Sequence, residues 1–180
     1  MDILVDYKRL FDYRVENLKK LVADVKPEAW LENDVRQTKF EVHKSTESIV
    51  YVWSEFSDPN YENVMINIPA NDSDPLTAEV WTVAEKIREC YGPKARITKL
   101  MLAKLKGRGE ITPHVDKGNL MKIHRCHLPI ISSSKCIFYI DNKPYNFKPP
   151  MVFEFNNQKL HAVNNKSPLD RVHLICDILD

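Results

Sequence analysis

The sequence predicts an α+β protein, mainly β, built as a jelly roll with supporting helices toward its N-terminus. Two observations carry this. Short apolar runs separated by turn residues crowd the second half, whereas apolar stripes at helical spacing occur only in the first. A strand-rich stretch of this length controls its edges by packing two sheets together. The 180 residues suit a single domain. Within it we expect helical support and outer strands over 1–95 and a jelly-roll core over 96–180.

The elements follow in order. From Asp6 to about Ala23, the residues Leu10, Phe11, Val15, Leu18, Leu21 and Val22 make one apolar stripe, which predicts a helix. Lys39–His43 and Ser48–Trp53 read as strands around a Lys-Ser-Thr-Glu turn. A second helix is expected from Pro75 to about Tyr91. Asp74 can cap it, Pro75 suits its first turn, and Gly92-Pro93 ends it. Its stripe is Val80, Val83, Ala84, Ile87 and Cys90. Ile97–Leu105 is a longer apolar run. Strands are then expected at His124–Ile131, Cys136–Ile140, Tyr145–Phe147, Met151–Phe155 and Arg171–Ile178, with a hairpin turn at Asp141-Asn142-Lys143.

Composition narrows the function classes. Lys and Arg number 26 against 25 Asp and Glu, a net charge of +1, and no basic block marks a nucleic-acid surface. No apolar run reaches the ~18 residues of a membrane span, and MDILVDYKRL meets charge too early for a secretory signal. The four cysteines, Cys90, Cys126, Cys136 and Cys176, show no CxxC spacing. Reduced, mostly buried thiols in a cytoplasmic protein are expected.

The chemistry begins at "GEITPHVDKG". Residues i and i+2 of a strand share a face, so His114 and Asp116 project together while Val115 points away. One strand cannot surround an ion, so a further ligand must come from elsewhere. His161 is the candidate. It follows the aromatic strand "MVFEFNN" and precedes the polar stretch "AVNNKSPLDR", read as turn. Ten residues on, Arg171 sits in the apolar run "RVHLICDIL", where a cation is costly unless it meets an anion. Two histidines and one carboxylate on one side of a metal are the arrangement of non-haem Fe(II) oxygenases. A dicarboxylate cosubstrate, one end on iron and the other on Arg171, suits that pattern.

These motifs resemble the aspartyl/asparaginyl β-hydroxylase-like family of Fe(II)/2-oxoglutarate dioxygenases, which includes bacterial free-proline hydroxylases. The matching stretches are "KLKGRGEITPHVD", "RCHLPI", "FEFNNQKLHAVNNKSPLDRVHLICDI" and, more loosely, "RQTKFEVHKSTESIVYVW". The resemblance implies a double-stranded β-helix with the metal at its mouth. It implies His114, Asp116 and His161 as metal ligands, Arg171 on the distal carboxylate of 2-oxoglutarate, His127 as a further cosubstrate contact, and Arg125 on a substrate carboxylate. Arg125 and His127 would share one strand face. The implied cofactors are Fe(II), 2-oxoglutarate and O2. The implied reaction is hydroxylation of an unactivated C–H in a small-molecule or peptide substrate bearing a carboxylate. The retained Asp116 sets the chain beside the proline-hydroxylase branch and apart from halogenases, which free that position for halide.

Each assignment has a plainer alternative. Arg171 could pair with Asp170 or Asp177, Arg125 could be a sheet-face charge, and His127 and His173 could be core histidines. His43 could border the site or be a plain hairpin position. At the level of the molecule, the competing class is a metal-binding jelly roll without catalysis, and a cupin-type metal enzyme without cosubstrate is a third reading.

Overall fold

All strand pairings are antiparallel, and they build two sheets that face each other. The computed structural model describes residues 4–39, 41–55 and 57–180. Its strands are β1 (Tyr7–Asp12), β2 (Thr46–Ser54), β3 (Val64–Ile66), β4 (Arg96–Leu105), β5 (Glu110–His114) and β6 (His124–Ile131). They continue as β7 (Cys136–Ile140), β8 (Lys143–Tyr145), β9 (Met151–Phe155), β10 (His161–Asn165) and β11 (Arg171–Leu179). The helices are α1 (Glu16–Ala23), α2 (Val35–Lys39) and α3 (Pro75–Glu89). The larger sheet has the order β1-β9-β6-β11-β4-β2-β3, and the smaller has β5-β10-β7-β8. This is the jelly-roll architecture, a double-stranded β-helix.

Alternation decides what each face buries. On β11, Val172, Leu174, Cys176 and Ile178 turn outward into the largest apolar cluster, where they meet Leu18 and Val22 of α1 and Val80, Val83, Ala84 and Ile87 of α3. Asp74 caps α3 as expected, its Oδ2 accepting from the Thr77 N–H at 2.8 Å. The inner faces of the two sheets meet through Leu105, Phe153 and Phe155 from one side and Ile111, Phe138 and Val163 from the other. The hairpin after β7 turns on Asp141 (φ 52°) and Asn142 (φ 62°), the left-handed pair that a tight two-residue turn needs.

Several expectations are corrected. The helix expected from Asp6 begins only at Glu16, because Tyr7–Asp12 is strand β1, paired with β9. The exposed edge of β9 offers backbone partners, and tertiary pairing overrides a local helical period. Lys39–His43 is not a strand. α2 ends at Lys39 and a 3-10 turn spans Glu41–His43, while Phe40, within that stretch, lies outside the described residues. The strand placed at Tyr145–Phe147 lies earlier, at Lys143–Tyr145. Cys90 of the α3 stripe is exposed, whereas Cys126, Cys136 and Cys176 are buried thiols. Of the stretch after His161, residues 162–165 are not turn but belong to strand β10, hydrogen-bonded to β5 and to β7, whereas 166–170 form the expected turn.

Candidate metal centre

The strand β10 is what assembles the site. Its pairing with β5 sets His161 directly opposite His114. Their rings lie 4.2 Å apart, centre to centre. His114 Nδ1 is 2.8 Å from the Thr112 carbonyl, and His161 Nδ1 is 2.9 Å from the Lys159 carbonyl. An Nδ1–H donated to a carbonyl fixes the tautomer and leaves Nε2 as the lone-pair atom. Burial, and then the neighbouring His114, lower the His161 pKa to about 4, so its ring is neutral near pH 7, the form that binds metal.

Asp116 stands just beyond the end of β5. Its N–H donates to the Asn157 carbonyl at 3.1 Å. Its Oδ2 accepts from Arg125 Nη1 and from Asn157 Nδ2, the latter at 3.2 Å, which leaves Oδ1 for an ion. Donor atoms of His114, Asp116 and His161 lie within 4.8 Å of one another. Two Nε2 atoms aimed by their Nδ1 contacts and one anchored carboxylate suit a divalent ion. The donor set therefore fits the metal that the sequence implied.

The triad lines a cavity of about 110 Å³ between the sheets, whose walls include Trp53, Met101, Phe138 and Phe155. Arg171, His173, Ile175 and Asp177 alternate along the inner face of β11, so Arg171 and Asp177 occupy its opposite ends. Arg171 is 3% exposed, and its Nη2 donates to His173 Nδ1 at 2.7 Å. The carboxylates proposed as its plain partners are committed elsewhere. Asp170 Oδ1 accepts from the Gly107 N–H at 2.8 Å, and Asp177 is held by Arg125 and Lys99. Among the described residues no acidic side chain pairs with Arg171. Burial lowers its pKa to about 10, still cationic near pH 7. A buried cation of this kind calls for an anionic ligand. His173 is driven well below its usual pKa by burial and then by Arg171 and His127, so it is the neutral acceptor that orients Arg171.

The structure brings every sequence-nominated residue to this cavity: His114, Asp116, His161, Arg171, His127 and Arg125 all line it. His127 Nδ1 lies 3.3 Å from His173 Nδ1, and its ring stands against Phe153 and Phe155. Arg125 is engaged by two carboxylates. Its Nε and Nη2 donate to Asp177 at 3.0 and 2.8 Å, and Nη1 donates to Asp116. Burial opposes its charge, but Asp116 and Asp177 outweigh burial and raise its pKa. His43 borders the site, its ring 5.9 Å from that of His114. Sequence reasoning passed over Asn157, Lys99 and the role of Asp177. The alternation from Arg171 was a signal for Asp177.

A jelly roll with two histidines and a carboxylate at its mouth, and an unmatched arginine within, is a metalloenzyme architecture of the oxygenase type. Comparison with known proteins specifies it. Residues 16–180 match the model of the family described as aspartyl/asparaginyl β-hydroxylase, and the chain belongs to that family. No curated protein sequence matches it significantly. Among solved structures it is similar to a 2-oxoglutarate–Fe(II) oxygenase-family oxidoreductase from Burkholderia pseudomallei, with TM-score 0.61 and 11% identity over 98% of this chain and 85% of that one. It is also similar to a viral collagen prolyl hydroxylase from Paramecium Bursaria Chlorella virus-1, with TM-score 0.57 and 10% identity over 97% and 96% of the two chains. EctD from S. alaskensis aligns with TM-score 0.55 and 13% identity over 97% and 72%. At this identity the likenesses show the fold.

Proposed function

We propose that the protein is an Fe(II)- and 2-oxoglutarate-dependent dioxygenase that hydroxylates an unactivated C–H of a carboxylate-bearing small molecule or peptide. The observation that carries this reading is the buried Arg171 without an acidic partner, in the same cavity as the His114, Asp116 and His161 donors. A metal-binding jelly roll without catalysis has no use for that cation. The viral hydroxylase and EctD structures are both described with 2-oxoglutarate, which supports the same cosubstrate here.

His114, Asp116 and His161 would hold the iron. Iron with 2-oxoglutarate supplies dioxygen activation and the oxidising power to place a hydroxyl on carbon. The chain's own residues do the positioning. Arg171 takes the distal carboxylate of the cosubstrate through paired N–H donors, with His173 keeping the guanidinium aimed. His127 lines the same cavity as that arginine and the metal donors. Arg125 and Asn157 donate to Oδ2 of Asp116, which would leave Oδ1 for the ion. Phe138, Phe155, Met101 and Trp53 exclude water from the reacting carbon.

The test is anaerobic binding of 2-oxoglutarate to the Fe(II)-loaded protein, read by its visible charge-transfer band, followed by succinate release when air is admitted. Wild type is expected to show both. Arg171→Ala is expected to weaken 2-oxoglutarate binding by at least about tenfold, the value of a charge-assisted hydrogen bond pair. Metal binding with no response to 2-oxoglutarate would sink the assignment.

A further inference from the structure

The space between the sheets does not end at Arg171. A second, smaller hollow follows, walled by Ser132, Cys136, Phe147 and His173. It shares Arg171, Phe138 and Val163 with the metal cavity, whereas His114, Asp116 and His161 line the metal cavity and not the hollow. Strand register gives the direction. Where β10 pairs with β7, His161 lies opposite Ile140, Val163 opposite Phe138, and Asn165 opposite Cys136. Cys136 is therefore displaced from the metal end by roughly 13 Å along its strand. Arg171 is the partition, with the metal donors before it and the hollow behind it.

The hollow measures about 10 Å³. Counted as space open to the centre of a water molecule, that holds about one water, and a methylene group has similar bulk. Close-packed interiors leave few gaps of this size. This one stands behind the cation proposed to clamp the cosubstrate.

Arg171 is able to use it. Among the described residues its one side-chain hydrogen bond runs from Nη2 to His173 Nδ1, and His173 also walls the hollow. The far wall carries two small side chains, Ser132 and Cys136. Ser132 Oγ donates to the Phe147 carbonyl at 3.2 Å, and its lone pairs remain able to accept from a guanidinium. A guanidinium that steps back by one carbon's length therefore still finds hydrogen-bond acceptors. It cannot step back further, because the Phe147 ring is stacked on Phe153 with centres 3.8 Å apart and closes that side.

We propose that the cosubstrate site accepts a 2-oxo diacid one carbon longer than 2-oxoglutarate, and that Ser132 and Cys136 set this length limit. A six-carbon acid pushes Arg171 into the hollow, and a seven-carbon acid finds no room. An arginine backed by packed side chains would take the five-carbon acid alone. This inference rests on the oxygenase reading above, which assigns the distal carboxylate to Arg171.

The test is calorimetric titration of the Mn(II)-loaded protein under nitrogen with 2-oxoglutarate, 2-oxoadipate and 2-oxopimelate, the five-, six- and seven-carbon acids. In wild type, 2-oxoadipate is expected to bind within about tenfold of 2-oxoglutarate, and 2-oxopimelate at least about tenfold more weakly than 2-oxoadipate, the cost of a methylene that does not fit. Cys136→Met and Ser132→Thr each put extra carbon into the hollow. Each is expected to weaken 2-oxoadipate by at least about tenfold and to hold 2-oxoglutarate within about threefold, with circular dichroism reporting the fold. Weaker binding of 2-oxoadipate by wild type than this overturns the inference. So does 2-oxopimelate binding as well as 2-oxoadipate, or 2-oxoadipate binding unchanged in both variants. Equal loss of both acids in folded variants also overturns it, because the two residues would then merely support Arg171. Failure of wild type to bind 2-oxoglutarate would sink the oxygenase reading, and the inference with it.

Discussion

Asn157 holds the loop of Asp116, a proposed metal ligand, from two directions. Its carbonyl receives the Asp116 N–H, and its side-chain amide reaches both Asp116 Oδ2 and the Leu120 carbonyl at 2.8 Å. It is fully buried. Partners of this kind aim the ligand they touch. Asn157→Ala is expected to weaken Co(II) binding by about 10–100-fold with the fold retained. An unchanged Co(II) titration would show that Asp116 needs no such support. At this scale the sequence was readable where a side chain acts through its own chemistry. HxD, a distant His and an arginine in an apolar run pointed to one cavity. Asn157 was not readable, because its role depends on a carbonyl and a loop path that only folding sets. Lys99 was hidden for another reason. Its place in a charge row exists only through the register of three strands that lie far apart in the chain.

The elements taught a related lesson. Strands with dense apolar runs were placed well: His124–Ile131, Cys136–Ile140 and Met151–Phe155 agree residue for residue. The misses were segments whose conformation is imposed by neighbours. β10 carries only His161 and Val163 as obvious inward residues, and partners on both sides make it a strand. β1 shows a helical stripe yet pairs with β9. Asp6, just before β1, adds a second tie. Its carboxylate accepts from Lys159 and Tyr145, both at 2.6 Å, and from Lys143 at 3.0 Å, linking the N-terminal strand of one sheet to β8 of the other. The bonds from Lys159, then Tyr145 and Lys143, hold the Asp6 carboxyl well below the usual carboxylate range. Its folded pKa is therefore depressed. The stability it contributes is present above about pH 4 and lost as pH falls further. Urea midpoints should show Asp6→Asn less stable than wild type at pH 6, with the gap closing toward pH 2. A gap that stays constant would mean that the charge of Asp6 contributes nothing.

Across the whole molecule, both halves of the chain contribute to one sheet and to one cavity. β1 and β2 belong to the same sheet as β4, β6, β9 and β11, and Val42, His43 and Trp53 from the first half wall the cavity. We propose accordingly that 1–180 works as one domain, with 1–95 completing the core built by 96–180. No helix among the described residues is long and apolar enough to cross a membrane. The two histidines proposed as ligands, His114 and His161, hang from the carbonyls of Thr112 and Lys159, each two residues back in its own chain segment. Their aim is thus a property of the backbone and does not depend on the ion. Emptying the site should leave a vessel of unchanged shape that can be refilled. Stripping with a chelator should shift the urea midpoint only by the ligand-binding contribution, and adding Fe(II) should restore 2-oxoglutarate binding without a refolding lag. A slow, incomplete recovery would instead mean that the ion shapes its own seat. A protein with a durable seat can lose iron during scarcity and wait, folded, for its return.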